Sequence, residues 1–181
     1  CTDLRFNEYM PNIELSDDQK ELLKQRTESA LLSDSYLKFL VEELKPFIDK
    51  NYSTLPDREN TMIMGSSMGG LISFYALCQY PETFGAAGCI STHWPIADGA
   101  VIKALAEKIP SPNTHRFYFD YGTATLDSLY EPYQIQADSI FASKGYRKGV
   151  NYDSRKFEGA EHNERAWRNR LRIPLTFLFG K

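Results

Sequence analysis

The chain has 181 residues and carries only three cysteines, Cys1, Cys78 and Cys89, with no Cys-x-x-Cys pair. That argues against a disulfide-stapled scaffold and against a thiolate metal site. Cys78 and Cys89 sit in apolar surroundings and read as core thiols; they leave the compartment open between cytoplasm and bacterial periplasm. There is no basic excess: the formal net charge is -3, and the Arg147–Lys148 pair reads as a solvated loop. A nucleic-acid partner is not expected. The longest mostly apolar run, Leu71 to Cys78, falls far short of the roughly 20 residues of a membrane-spanning helix, so no membrane partner is expected either. The chain begins with Cys1 rather than Met, as a processed product or a piece of a longer protein would. What is present, 42% hydrophobic, 13% aromatic and 25% charged residues, suits one globular domain with a single core.

Short apolar runs alternate with helical patterns. The first dozen residues, to Pro11 and Asn12, read as an irregular loop. Ser16 with Gln19 makes a capping box that starts a helix. From Asp34 to Asn51 one apolar stripe includes Tyr36, Leu37, Leu40, Val41, Leu44, Phe47 and Ile48, with Pro46 as a kink point. Strands are expected at Thr61 to Met64, Ala86 to Ser91, Arg116 to Tyr121 and Ser154 to Phe157. Helices are expected at Met68 to Gln79, Asp98 to Lys108, Pro132 to Lys144 and Glu164 to Phe179, the last interrupted near Pro174. This alternation predicts an α/β fold, a parallel sheet flanked by helices.

Gly65-Ser66-Ser67-Met68-Gly69 fits G-x-S-x-G, centred on Ser67. In a nucleophile elbow the serine sits on a sharp strand-to-helix turn, and small residues two positions either side let the two elements pass closely. Here the expected strand ends at Gly65 and the expected helix begins at Met68, whose amide is placed to donate to an oxyanion.

A serine nucleophile needs a histidine base, and there are three histidines. His162 follows the last expected strand and falls at the same sheet edge as Ser67. His115 precedes a strand, at the opposite edge, and reads as a surface residue. His93 is on the correct edge but comes before any plausible acid; with Trp94 it is either a pocket-wall residue or simple packing. For the acid, Asp127 lies in the loop after the third strand and is favoured over Asp120, which still belongs to the strand. Glu161 and Glu164 are weaker candidates. Trp167 and Tyr130 lie near the same edge and are candidates to hold a bulky acyl group, although Trp167 falls on a helix that could simply pack.

At these residues the sequence resembles the esterase family that includes esterase D, feruloyl esterases and enterochelin-type siderophore esterases. Three blocks carry the likeness, in the family's order: TMIMGSSMGGLISFYALCQYPETFGAAGCIST, YFDYGTATLD and FEGAEHNERAWRNRL. They cover most of the chain after Asp34, and the last is closest to the siderophore-esterase branch. The resemblance implies an α/β-hydrolase fold, a small-molecule ester substrate, no metal and no organic cofactor. It also implies Ser67 as nucleophile, His162 as base and Asp127 as acid. The family has further strands before the helix ending near Asn51, and one of their loops supplies a second oxyanion amide. On that basis residues 1–181 are expected to be the C-terminal portion of one α/β-hydrolase domain that lacks its N-terminal strands. The strand at Thr61 to Met64 would then expose an edge that invites self-association or pairing with the missing N-terminal segment. The expected activity is that of a serine esterase working through an acyl-enzyme on Ser67. The alternatives are acyl transfer to an alcohol on the same fold, and a non-catalytic binding module, which a serine-directed probe would leave unlabelled.

Overall fold

Three of the four parallel strands arise at short apolar runs rich in aromatic and small residues, whereas the fourth carries Asp153, Ser154, Arg155 and Lys156. In the computed structural model, which describes residues 3–27 and 29–180, Cys1 lies outside the described residues. The helices α1 (Arg5–Tyr9), α2 (Asp17–Lys24), α3 (Ser33–Lys38) and α4 (Lys45–Asn51) precede the sheet. Then β1 (Met62–Ser66), α5 (Met68–Gln79), β2 (Ala86–Ile90), α6 (Ala100–Ala104), β3 (Arg116–Gly122), α7 (Glu131–Ser143) and β4 (Tyr152–Phe157) follow, and α8 (Glu164–Arg170) and α9 (Arg172–Phe179) close the chain. The strands stand in the order β1-β2-β3-β4, each pair parallel. Parallel neighbours need a crossover, and α5 and α7 supply two of the three. No helix among the described residues is long and apolar enough to cross a membrane.

Alternation along the strands divides the side chains between two faces. Phe117 and Phe119 of β3 join Ala87 and Cys89 of β2 in the main core, beneath Leu71, Phe74 and Tyr75 of α5 and Phe141 of α7. Phe119 makes an edge-on contact with Phe141 at 5.3 Å between ring centres. Tyr118 and Ala86 turn to the other face and pack with Leu178 of α9. Asp120 follows the same alternation to that second face. Cys78 and Cys89 are free and buried, as core thiols.

Several local expectations give way to tertiary contacts. The first dozen residues are not wholly irregular: α1 forms there because Asn7 is buried and its side-chain amide donates to Thr27 Oγ1 and the Ala30 carbonyl. The stripe from Asp34 to Asn51 is helical, but a π-helical turn at Phe39–Leu44 interrupts it, with the Lys45 amide bonding back to Leu40. That widened turn accommodates Pro46, which has no N–H to give to an α-helical ladder. The expected helix from Asp98 to Lys108 shrinks to α6 between 3₁₀ turns, because Ala97 and Asp98 both take left-handed conformations. The last helix breaks at Leu171, just before Pro174.

Candidate active site

The carboxyl ends of parallel strands converge on one edge of the sheet, and each of the four loops leaving that edge contributes a polar group. Ser67 follows β1, Ser91 and His93 follow β2, Asp127 follows β3 and His162 follows β4.

Ser67 stands at the turn between β1 and α5 with φ 58° and ψ -120°, a left-handed geometry that non-glycine residues avoid at a cost of about 1–3 kcal/mol. Its own amide donates to the Ile90 carbonyl at 2.9 Å, and the His93 amide donates to the Ser67 carbonyl at 3.2 Å. The next amide, that of Met68, opens α5 and has no intrahelical acceptor. The flanking glycines are not equivalent, contrary to the motif reading. A Cβ on Gly65 would lie 2.5 Å from the Gly69 carbonyl oxygen, whereas one on Gly69 would meet nothing within 4 Å. Gly65→Ala is therefore expected to lose about 2 kcal/mol by urea unfolding. Gly69→Ala, in the helix, is expected to be neutral or to gain up to about 1 kcal/mol; equal effects would contradict this packing.

The three candidate catalytic side chains meet. Ser67 Oγ lies 2.9 Å from His162 Nε2, and His162 Nδ1 lies 2.5 Å from Asp127 Oδ1. The loop bearing His162 is clipped to the loop bearing Asp127. The amides of Thr123 and Ala124 donate to the Ala160 carbonyl, and the His162 amide donates to Thr125 Oγ1. Gly122 permits this approach, since a Cβ there would sit 2.1 Å from the Ala160 oxygen. Asp127 is buried and its Oδ2 accepts from the Gly122 amide and from Ser91 Oγ, both at 2.6 Å. Burial alone would push its carboxyl up, but the donors from His162, Ser91 and Gly122 outweigh that and hold it below the usual carboxylate range. An ionised Asp127 fixes the proton of neutral His162 on Nδ1, which leaves Nε2 free to accept from Ser67.

Asp120 is not part of this line. Its carboxylate takes Arg170 Nη2 at 2.9 Å and the Tyr118 hydroxyl at 3.0 Å on the other face of the sheet. Glu161 accepts from the Asn163 side chain and Glu164 stands in the first turn of α8; among the described residues the carboxylate on His162 Nδ1 is that of Asp127.

The candidate wall residues sort differently. Trp94 is 1% exposed and its indole N–H donates to Gln134 Oε1, so it is a core residue that cannot line an open site. Trp167 sets its ring edge-on to His162 at 5.0 Å and donates to Ser91 Oγ. Tyr130 is fully buried, stacks edge-on with His162 at 5.6 Å and shares a hydrogen bond with His93 Nδ1. It therefore braces the imidazole rather than presenting an exposed ring. His115 is at the opposite edge, as expected, but is buried rather than on the surface, with Nε2 on the Pro81 carbonyl. His93, a candidate wall residue, does line an open cleft, but the apolar part of that wall comes from residues that sequence patterning passed over. A cleft of about 500 Å³ beside His93 is lined by Leu22, Leu23, Arg26, Ile96, Leu126 and Leu129. A larger cleft of about 910 Å³ opens at the far edge, around Arg58, His115 and Phe179; Ser67, Asp127 and His162 are among the lining residues of neither cleft.

Burial, with the nearby His162 and Arg26, lowers His93 to about 4. A histidine whose folded pKa is depressed binds its proton more readily when unfolded. Its stabilising contribution is complete above about pH 6.5 and is lost as pH falls toward 4. Allowing for partial exposure, the loss is on the order of 2 kcal/mol between pH 7 and 4.5. Thermal unfolding of the His93→Gln variant should show a smaller acid sensitivity than the unaltered chain; identical slopes would count against a buried neutral His93.

Residues 9–177 match the model of the family described as "Putative esterase". The chain belongs to that family. Among curated relatives, this esterase-family chain is 26% identical over 155 residues to the uncharacterized protein YbbA of Bacillus subtilis, covering 81% of this chain and 60% of that one. It is 31% identical over 147 residues to the endo-1,4-beta-xylanase/feruloyl esterase of Xylanibacter ruminicola, covering 81% of this chain and 18% of that one. The chain thus spans less than two thirds of either relative. Among solved structures, the IroE-like serine hydrolase of Shewanella oneidensis superposes with a TM-score of 0.71 at 14% identity, over 96% of this chain and 56% of that one. At that identity the likeness shows the α/β-hydrolase fold and nothing finer.

Proposed function

We propose that this esterase-family protein hydrolyses carboxylic esters through an acyl-enzyme on Ser67. The observation that carries the reading is the continuous line Ser67–His162–Asp127 at the carboxyl edge of the sheet, with contacts of 2.9 and 2.5 Å. Family membership supports the class of reaction.

Ser67 Oγ forms a bond to the ester carbonyl carbon as its proton passes to His162 Nε2. The carbonyl π pair becomes the oxyanion, and the Met68 amide is the described donor best placed to meet it. Collapse of the tetrahedral species breaks the bond to the alkoxy oxygen, which leaves as the alcohol with the proton from His162. Water then attacks the acyl carbon, gives a proton to His162, and the second collapse returns that proton to Ser67 and releases the acid. Asp127 stays ionised throughout, orienting the ring and stabilising the imidazolium.

The leucine-lined cleft that His93 borders is an open apolar surface near the triad, although no triad residue lines it, and it suits an ester with a bulky apolar group. The feruloyl esterase activity in the name of the Xylanibacter relative agrees with that size and polarity. The test is product analysis on a panel of aryl and alkyl esters with an added alcohol acceptor. Free acid as the main product supports hydrolysis, a new ester supports acyl transfer, and no turnover by folded protein sends the chain to the binding-module class.

A further inference from the structure

Behind Asp127 lies a buried polar cluster that the reaction scheme does not use. Ser91 is fully buried, held at φ 41° between β2 and His93. Its amide donates to the Asp120 carbonyl and to Asp120 Oδ1. Its hydroxyl oxygen is approached from three sides: Trp167 Nε1 at 3.1 Å, Arg170 Nη2 at 2.7 Å and Asp127 Oδ2 at 2.6 Å.

Donor counting fixes the role of this hydroxyl. A serine hydroxyl has one proton and two lone pairs. Indole N–H and guanidinium N–H can only donate, so they take the two lone pairs. The one proton is then left for Asp127 Oδ2, which can only accept. The rotor has a single arrangement, and it points at the carboxylate that holds His162. Arg170 is itself 4% exposed, ion-paired to Asp120 at 2.9 Å and 4.0 Å from Asp127 Oδ2. Its guanidinium lies 5.0 Å over the Phe157 ring. Its Nε and Nη1 have no hydrogen-bond partner among the described residues. A buried arginine with two donors unmet is costly, which makes a purely stabilising role a poor account of it.

We propose that Arg170 and Ser91 act as positioning residues for the Asp127–His162 couple: Arg170 locks the Ser91 hydroxyl onto Asp127, and its positive charge limits how strongly that couple attracts a proton. This rests on the reading of Ser67, His162 and Asp127 as a catalytic triad. Removing the arginine charge leaves the field at His162 more negative, so the imidazole should hold its proton to higher pH. Removing the Ser91 hydroxyl leaves more charge on Asp127 and acts in the same direction, more weakly. The other groups facing His162 are Ser67, Tyr130 and Trp167, with His93 bonded to Tyr130 and Asp120 behind Ser91; none of them is substituted in these variants, but Trp167 loses its acceptor in Ser91→Ala and Asp120 its ion-pair partner in Arg170→Met.

The experiment follows the Cε1 proton of His162 by NMR across pH in the full chain, assigned by its loss in His162→Asn. In Arg170→Met the titration midpoint should rise by roughly one pH unit. Arg170→Lys, which keeps the charge, should return it toward that of the unaltered chain. Ser91→Ala should raise it by roughly half a unit, and this small substitution tests the idea even where Arg170→Met does not fold. An unmoved midpoint in Ser91→Ala, or equal shifts for Arg170→Met and Arg170→Lys, would overturn the inference. The measurement needs no turnover. Midpoints that move as described in a chain that hydrolyses no ester would sink the proposed function and leave the positioning pair standing.

Discussion

Ser67→Ala is expected to lower kcat for ester hydrolysis by about a millionfold, with the fold intact. The size follows from chemistry. Among the described residues, Ser67 Oγ is the hydroxyl in hydrogen-bond reach of His162 Nε2, so its loss removes the acyl-enzyme route. What remains is water attack assisted by binding and the Met68 amide. Stability should change little, because alanine bears the left-handed backbone at this position about as well as serine does. Steady-state kinetics on the best ester of the panel, with thermal unfolding alongside, checks both halves. Residual activity within tenfold of the unaltered chain would contradict the assignment.

Asp127→Asn is expected to cost about ten-thousandfold in kcat with KM nearly unchanged. The surroundings dictate which way the amide turns. Gly122 N–H and the Ser91 hydroxyl both donate to the Oδ2 position, so the asparagine carbonyl must sit there and its NH₂ must face His162 Nδ1. A donor at that place forces the imidazole proton onto Nε2, where it can no longer accept from Ser67. Asp120→Asn should act differently. It strips the ion-pair partner from buried Arg170 and should show first as lost stability. If the two variants lose activity equally while both remain stable, the distinction between them fails.

The parts of the site legible in the sequence are those fixed by chain order. A parallel sheet sends every β-to-α loop to one edge, so Ser67, Asp127 and His162 could be placed on a common edge from the strand pattern alone. Asp127 and Asp120 were separable for the same reason: a strand residue at Asp120 is committed to a sheet face, whereas a residue beyond the strand is free to reach the histidine. Contacts across the fold were not legible. Arg170 reads as one more cation of a basic helix until its approach to Ser91 and Asp120 is seen. Trp94 follows β2 on the catalytic edge, yet its indole turns inward to Gln134, a choice made by core packing. Leu22 and Leu129 carried no signal as wall residues, although α2 has no buried residue among its eight. An apolar side chain left exposed on a capped helix is the clue that could have found the cleft. The first dozen residues read as an irregular loop, yet Arg5 and Tyr9 lie in α1, which depends on the distant acceptors of Asn7.

The proposed chemistry depends on activation of Ser67 by His162. Intact mass after exposure to a fluorophosphonate probe tests it most directly, on the unaltered chain beside Ser67→Ala and His162→Ala. One phosphonyl adduct is expected, mapped to Ser67, absent from Ser67→Ala and strongly slowed in His162→Ala. A folded chain that takes up no probe, or an adduct that persists in Ser67→Ala, would contradict it.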